Sequence, residues 1–120
     1  MDMKIVSENV AVSGSDHEFI RYRVAFSLAE NREHIESVRI MVREIPGFDL
    51  ESINQCLVEV VLVDGTALTG DSTATDLHEA IHRSADRATE WVARHLEHQP
   101  GYYARAVDTR AVGSFERTPS

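Results

Sequence analysis

The chain has 120 residues, of which 42% are hydrophobic and 27% charged. This composition is typical of a packed domain and excludes a disordered chain, and the length excludes a second full-sized domain. Its longest apolar stretches are far shorter than the roughly 20 residues of a membrane-spanning helix, so no transmembrane segment is predicted. Twenty acidic residues against twelve Lys and Arg give a net charge of −8, the wrong sign for non-specific attraction to nucleic acid.

The start of the sequence favours a cytoplasmic protein, and its single cysteine limits the chemistry available to the chain. Residues 1–4 lead directly into a strand-like pattern, without the basic start, apolar middle and cleavage site of a signal peptide. Cys56 is the only cysteine, so it can neither close an internal disulfide nor form a cysteine-based metal site. We expect it to pack in the core as a small hydrophobic residue.

The first quarter of the chain predicts a strand followed by a helix. Residues 4–12 are rich in β-branched side chains and predict the opening strand. Segment 13–16 breaks this pattern and offers helix caps, and with Ser15 as the cap, Glu18 completes a capping box. A helix is therefore predicted from Asp16 to about Asn31. Its apolar side chains recur at helical spacing: Phe19, Ile20, Val24, Phe26 and Leu28.

Three strands are predicted in the middle of the chain. Residues 37–45 alternate between apolar and polar, as a half-buried antiparallel strand does, and residues 55–63 predict the next strand. Segment 48–54 is the loop between them. Asp64-Gly65 favours a two-residue hairpin turn, so Thr66 to Thr69 are predicted to return as a short fourth strand.

The clearest helix begins at Thr75-Asp76 and is predicted to run to about His98, before Pro100-Gly101. One face carries an apolar stripe at a 3.6-residue period, flanked by Ser84 and Trp91. The residues of the stripe are Leu77, Ile81, Ala85, Ala88, Val92 and Leu96.

These elements predict a single α+β domain over residues 1–99. The order is β-α-β-β-β-α, and both helices are expected on one face of a four-stranded sheet. Residues 100–120 show neither periodicity nor sustained apolar content and predict a flexible C-terminal tail.

The element order and several motifs resemble the short form of the ribosome hibernation-promoting factor and ribosome-associated inhibitor family, also described as sigma-54 modulation protein-like. The resemblance covers roughly residues 3–98. Its most specific part, residues 76–81, looks like the family's Asp-Met-Tyr-x-Ala-Ile start to the second helix, and Asp86-Arg87 falls where the family carries Asp-Lys. The other matching stretches are Met3-Lys4-Ile5-Val6 through Asn9-Val10, residues 34–38, and residues 55–60 with Leu68.

The resemblance implies a double-stranded-RNA-binding-domain-like fold and a translation regulator of the stress response that is neither an enzyme nor dependent on a cofactor. It further implies binding in the mRNA and tRNA channel of the small ribosomal subunit, where basic residues on both helices contact rRNA phosphates. Neither DNA nor a membrane is expected as a partner, and a monomer is favoured.

Five arginines are the candidate RNA contacts. At 100° per residue on an ideal helix, Arg83, Arg87 and Arg94 lie within about 40° of one another and form one ridge beside the apolar stripe. Arg21 and Arg23 belong to a second, smaller basic group on the first helix. The planar guanidinium group suits phosphate oxygens, so such a ridge can follow an RNA backbone without reading its sequence.

Acidic residues around these arginines leave two other interpretations open. Glu79–Arg83 and Glu90–Arg94 are spaced for i,i+4 ion pairs, which would make the ridge an ordinary solvated helix face. Alternatively, the domain is a protein-interaction module that has lost RNA binding and uses its acidic segments against a basic partner. RNA binding predicts a continuous positive strip across both helices, whereas the interaction module predicts an acidic or apolar patch there.

Residues 78–82, His-Glu-Ala-Ile-His, match the H-E-x-x-H motif of zinc proteases. Two histidines one turn apart can bind zinc while the glutamate activates water, so His78 and His82 are candidate metal ligands of a zinc hydrolase as a minor alternative. Chance matches to this short motif are frequent, and no downstream residue on the same helix can complete the site. We therefore expect two polar histidines at the border of the buried face, one of them packed near Tyr22 or Trp91.

Overall fold

The computed structural model describes residues 1–47 and 52–98. It confirms the predicted order of strands and helices and adds a 3₁₀ helix, Ala29–His34, after the first α-helix. The strands are β1 (Asp2–Glu8), β2 (Ile35–Pro46), β3 (Ser52–Leu62) and β4 (Ala67–Ala74), and the helices are α1 (Gly14–Leu28) and α2 (Leu77–Glu97). The predicted tail, residues 100–120, lies outside the described residues, so it stays a prediction.

The four strands form one mixed sheet in the order β1-β2-β3-β4. Strands β1 and β2 are parallel, because α1 connects them, whereas β2, β3 and β4 pair antiparallel to their neighbours. Alternate residues of β2 and β3 point into the core that both helices cover. The buried strand residues include Val38, Ile40, Val42, Cys56, Val58, Val60 and Leu62.

Helix α2 packs its predicted apolar stripe onto β3 and β4. Asp76 caps the helix, since its carboxylate accepts the backbone N–H of Glu79. Leu77 is half-buried and Trp91, on the flank, remains 48% exposed. The fully covered members of this face are Ala80, Ile81, Ser84, Ala85, Ala88, Val92 and Leu96.

Small polar groups are satisfied where α2 meets the sheet. The Ser84 hydroxyl lies 2.8 Å from the carbonyl oxygen of Cys56 and 2.9 Å from that of Ala80. The Ser72 hydroxyl of β4 donates to the same Ala80 carbonyl at 2.8 Å. Cys56 is completely buried, as predicted, and burial raises the pKa of its thiol to about 11. The thiol is therefore inert core packing.

Helix α1 begins two residues earlier than predicted. Ser13, not Ser15, is its N-cap: the Ser13 hydroxyl accepts the backbone N–H of Asp16, and the Asp16 carboxylate accepts the backbone N–H of Ser13. The capping box therefore uses Asp16 in place of Glu18, because the shorter acidic side chain also satisfies the geometry at the third helical position. The α-helix ends at Leu28, short of Asn31.

The apolar residues of α1 lie on two opposite faces. Ile20, Val24 and Leu28 recur every four residues and are buried, but Phe26, predicted to share their face, is 82% exposed. Tyr22, four residues before Phe26, is 73% exposed. The prediction for Phe26 was wrong because positions two residues apart on a helix lie about 160° apart around its axis.

The β3–β4 hairpin is closed by three residues, Val63 to Gly65, and not by the predicted two. Thr66 pairs back with Leu62, and only Gly65 has a positive φ, at 92°. Asp64 keeps a negative φ because its carboxylate accepts the Thr66 backbone N–H at 2.8 Å. A turn followed by one left-handed glycine is the usual three-residue alternative.

Strand β4 is longer than predicted, while β1 is shorter. Pairing of β4 with β3 continues to Ala74, opposite Asn54, whereas the sequence predicted an end at Thr69. Glycine within a strand often marks a close approach of another backbone, and Gly70 lies directly under α2. A Cβ at Gly70 would lie 2.4 Å from the backbone nitrogen of Ala88. Because Gly70 has no side chain, α2 can lie this close to β4.

We predict that Gly70→Ala destabilises the domain by about 1–3 kcal/mol, because the added methyl overlaps the backbone of α2. The matched control is Gly14→Ala at the first position of α1, where nothing lies within 4 Å of the added group, so its stability is expected to change by less than about 1 kcal/mol. Urea unfolding measures both. Equal effects of the two substitutions would contradict the close packing of α2 on β4.

We predict that Asp64→Asn reduces the sensitivity of the domain to acid. The Thr66 backbone N–H, together with His95 on α2, lowers the pKa of Asp64 from 3.8 to about 2. A lowered carboxyl pKa stabilises the fold above about pH 4, and this contribution is lost as the pH falls from about 5 to about 2. Because the side chain is 41% exposed, the difference should stay below about 1 kcal/mol.

Urea titrations at several pH values between 5 and 2 measure this effect, and Asp2→Asn controls for the change of one charge. If the unfolding free energy of Asp64→Asn fell as steeply with acid as that of the wild type, Asp64 would not contribute in this way.

Candidate functional site

The structure brings Arg83, Arg87 and Arg94 together along one side of α2, as predicted from their spacing. Arg83 donates to the backbone carbonyl of Thr73 at 3.4 Å, and Arg87 donates to that of Asp71 at 2.5 Å. Both carbonyls belong to β4, which is an edge strand of the sheet. The ridge therefore lies above the β4 edge, on the side of α2 that faces away from α1.

Carboxylates on the same helix pair with two of these arginines. Arg83 lies 3.0 Å from Glu79, and Arg94 lies 3.2 Å from Glu90. Both are exposed i,i+4 pairs, as the spacing predicted. The guanidinium group of Arg94 also lies over the ring of Trp91, 5.5 Å from its centroid. The outer face of α2 thus alternates in sign and carries no continuous positive strip.

The two candidate arginines of α1 have different environments. Arg21 is exposed on the surface of α1. Arg23 is only 20% exposed and reaches across to α2, where it lies 2.8 Å from the Asp86 carboxylate. It also donates to Nδ1 of His82 at 2.7 Å and to the Ser27 hydroxyl. Arg23 thus connects the two helices and does not extend the ridge.

A groove runs between the two helices beside this network. Contacts between α1 and α2 increase in residue number together, from Asp16–His78 to Arg23–Asp86, so the helices are parallel. The polar lining of the groove includes two carboxylates and one arginine, and the exposed ring of Phe26 forms the apolar part of the groove. The groove is lined by Arg23, Phe26, Ser27, His82, Asp86, Thr89 and Glu90.

The two histidines of the H-E-x-x-H motif join α2 to α1. His78 stacks on Phe19 with ring centroids 4.0 Å apart, and its Nε2 lies 3.1 Å from the Asp16 carboxylate. His82 meets the same Phe19 edge-on at 5.3 Å. The expected packing near Tyr22 or Trp91 was therefore wrong, because Phe19 occupies the face of α1 that meets α2. The hydrogen bond from His78 and that from the Ser13 backbone lower the pKa of Asp16.

Within residues 1–47 and 52–98, no three side chains of His, Cys, Asp or Glu converge as a metal site would require. Nδ1 of His82 already accepts the Nε–H of Arg23, so that nitrogen is not available to a metal in this arrangement. The motif contributes contacts between helices here, and the zinc interpretation gains no geometric support.

Sequence reasoning missed the partners that α1 supplies. Asp16 was interpreted as a helix cap and Phe19 as a core residue, yet both also contact His78. The only sequence signal was the i,i+4 spacing of two histidines beside an apolar stripe, which indicates a helix flank in contact with another element. That the other element is α1 follows only from the fold.

None of the helices within residues 1–47 and 52–98 is long and apolar enough to cross a membrane.

Comparison with solved structures confirms the fold that the sequence resemblance implied. A ribosomal subunit interface protein from Coxiella burnetii superimposes with a TM-score of 0.67 at 13% identity, over 79% of this chain and 97% of that one. The N-terminal domain of Protein Y from Thermus thermophilus gives a TM-score of 0.60 at 19% identity, over 79% and 99% of the two chains. The chain matches no protein-family model and no curated protein sequence.

We predict that Arg23→Gln destabilises the domain by about 1–2 kcal/mol, because it removes a partly buried charge-assisted connection between α1 and α2. Urea unfolding measures the change. Arg21→Gln, on the exposed surface of the same helix, is the matched control and should stay within about 0.5 kcal/mol of the wild type. Combining Arg23→Gln with Asp86→Asn should cost less than the sum of the two single changes. Additive costs would show that the pair does not interact.

Proposed function

We propose that this domain associates with the ribosome and regulates translation, and that it does so by binding small-subunit rRNA where mRNA and tRNA pass. The observation that carries the proposal is the fold, which extends over nearly the full length of a ribosomal subunit interface protein and of a Protein Y domain. The proposal includes a cytoplasmic location and a non-catalytic mode of action, in which the bound domain obstructs the channel.

The α2 ridge is the proposed contact with RNA. From Arg83 to Arg94 it spans roughly 16 Å of helix, at a rise of about 1.5 Å per residue, so it can meet more than one phosphate. Arg87, in its middle, bonds to a backbone carbonyl and has no carboxylate partner among the described residues. Shape-based recognition of an RNA backbone requires this kind of charged helix face and no base contacts.

The acidic partners on α2 do not prevent such a contact. Both ion pairs are exposed to solvent on each side, and exposed pairs contribute only about 0.2–1 kcal/mol. A phosphate group can therefore replace Glu79 or Glu90 as the partner of an arginine at small cost. The net charge of −8 weakens long-range attraction, so association should depend on shape as well as on charge.

A protein-interaction module is the second candidate function. Two observations favour it: the outer face of α2 alternates in sign, and α1 exposes two large aromatic side chains, Tyr22 and Phe26. An acidic or apolar patch across the helices is what this alternative predicts. The two functions differ in whether the arginines or the carboxylates of α2 promote binding.

We predict that the wild-type chain co-sediments with small ribosomal subunits and that Arg83→Gln/Arg87→Gln/Arg94→Gln abolishes this at moderate salt. Binding should weaken with salt, with a log–log slope of about −0.7 to −0.9 per phosphate engaged. Circular dichroism checks that the variant folds, and inhibition of a cell-free translation reaction tests obstruction of the channel. Salt-independent binding, or full binding by the folded variant, would contradict rRNA contact through this ridge.

The pair Glu79→Gln/Glu90→Gln separates the two candidate functions. These changes free Arg83 and Arg94 from their carboxylate partners, so binding to rRNA should become several-fold tighter. A module that uses its acidic face against a basic protein would instead bind its partner less tightly. No binding of either variant or of the wild type to ribosomes at low salt would exclude the ribosome proposal.

A further inference from the structure

Four exposed residues of α1 and the 3₁₀ helix follow one another at intervals of four. Glu18, Tyr22, Phe26 and Glu30 are all exposed, with Tyr22 at 73% and Phe26 at 82%. Glu18, Tyr22 and Phe26 lie in α1, where successive members are about 40° apart around the helix axis, and Glu30 follows in the 3₁₀ helix, so the ridge is roughly 18 Å long. We call these four residues the α1 ridge. Two aromatic rings lie at its centre and a carboxylate at each end.

The aromatic rings of the ridge have no role in the core. The core face of α1 is made by Ile20, Val24 and Leu28, which lie on the opposite side of the helix. Large exposed aromatic side chains that adjoin one another are uncommon on a monomeric soluble domain and mark contact surfaces. Their rigid rings bury much area at little entropic cost.

The charges around these rings select the kind of partner. Glu18 and Glu30 end the ridge, and Asp86 and Glu90 lie beside Phe26 in the neighbouring groove. The basic residue of that groove, Arg23, is already paired with Asp86. This setting disfavours phosphate groups, and it favours cations that can lie over an aromatic face while a carboxylate accepts their hydrogen bonds.

We propose that the α1 ridge, with the groove beside Phe26, is a docking surface for a basic polypeptide segment rich in Lys and Arg. Cationic side chains of the segment lie over Tyr22 and Phe26 and pair with Glu18 and Glu30, while Glu90, the partner of Arg94, lies beside the docked segment. The surface lies on the other side of the inter-helix groove from the arginine ridge of α2. The proposal does not depend on rRNA binding, because it rests on side chains of α1 and a partner of the opposite charge; Glu90 borders both surfaces.

The test is titration of the full-length, isotope-labelled protein with a synthetic Arg-Lys-Gly peptide of about ten residues, longer than the six or so extended residues that span the ridge. NMR amide shifts are expected in residues 18–30 and around Glu90. A peptide of the same length with Glu in place of Arg and Lys should not bind. Shifts confined to α2 and the β4 edge, or no saturable shifts at all, would overturn the proposal.

Paired variants separate this surface from general charge attraction. Tyr22→Ala/Phe26→Ala should weaken peptide binding at least about tenfold, as loss of the central anchors of an interface does. Glu18→Gln/Glu30→Gln should weaken it several-fold more than Glu36→Gln/Glu97→Gln, which removes two exposed carboxylates elsewhere. Equal weakening by the two carboxylate pairs, or unchanged affinity of the aromatic variant, would show that the ridge is not the site.

Two further measurements distinguish other occupants of the ridge. Sedimentation velocity across a concentration series would reveal a dimer that Phe26→Ala dissolves, and this result would replace the basic segment by a second copy of the chain. Binding of a single-stranded RNA oligonucleotide that shifts the same α1 amides would likewise overturn the proposal. We expect a monomer and no such RNA contact. Failure of the ribosome proposal would leave the peptide result unaffected, since the Arg83/Arg87/Arg94 variant should retain peptide binding.

Discussion

The close approach of α2 to strand β4 at Gly70 is the contact on which the rest of the structure depends. A side chain at Gly70 would overlap the backbone of α2 at Ser84 and Ala88, so glycine sets how near the helix lies to the sheet. Small residues of α2 meet this surface, and their polar atoms are satisfied by Ser72 and by backbone carbonyls. Because α2 is held so closely, its rotation about its own axis is fixed and its outer face is determined.

The rotation of α2 about its axis places one side of the helix over β4 and the other side against α1. On the β4 side, Arg83 and Arg87 reach the carbonyls of the edge strand and also cover an edge that is otherwise open to pairing with another chain. On the α1 side, Phe19 and Arg23 fill the space between the helices with rings and charge-assisted hydrogen bonds. These contacts join the two helices, and the arginine ridge of α2 and the α1 ridge lie on opposite sides of the groove between them.

This arrangement reconciles a net acidic chain with a proposed contact to RNA. The arginines of α2 lie along one line, with the exposed carboxylates of Glu79 and Glu90 beside them. Their carboxylate partners are exposed and exchangeable, whereas Arg23 is enclosed and has a structural role. An overall negative charge limits non-specific binding to nucleic acid and favours a partner that matches the domain in shape. The fold is similar to that of a ribosomal subunit interface protein, and the acid-flanked aromatic residues of α1 carry the separate proposal of a basic partner.

The sequence by itself determined the order of strands and helices, the buried stripe of α2, the burial of Cys56 and the shared face of the three α2 arginines. Each of these depends on the pattern within one segment. It failed at Phe26, at the length of the hairpin loop and at the end of β4, where the outcome depends on which face another element covers. The contact of Gly70 with α2 and the contacts of Phe19 with His78 and His82 join separate elements, so local spacing did not show them. Local spacing specifies faces, but only tertiary packing decides what each face meets, because those contacts join residues far apart in the chain.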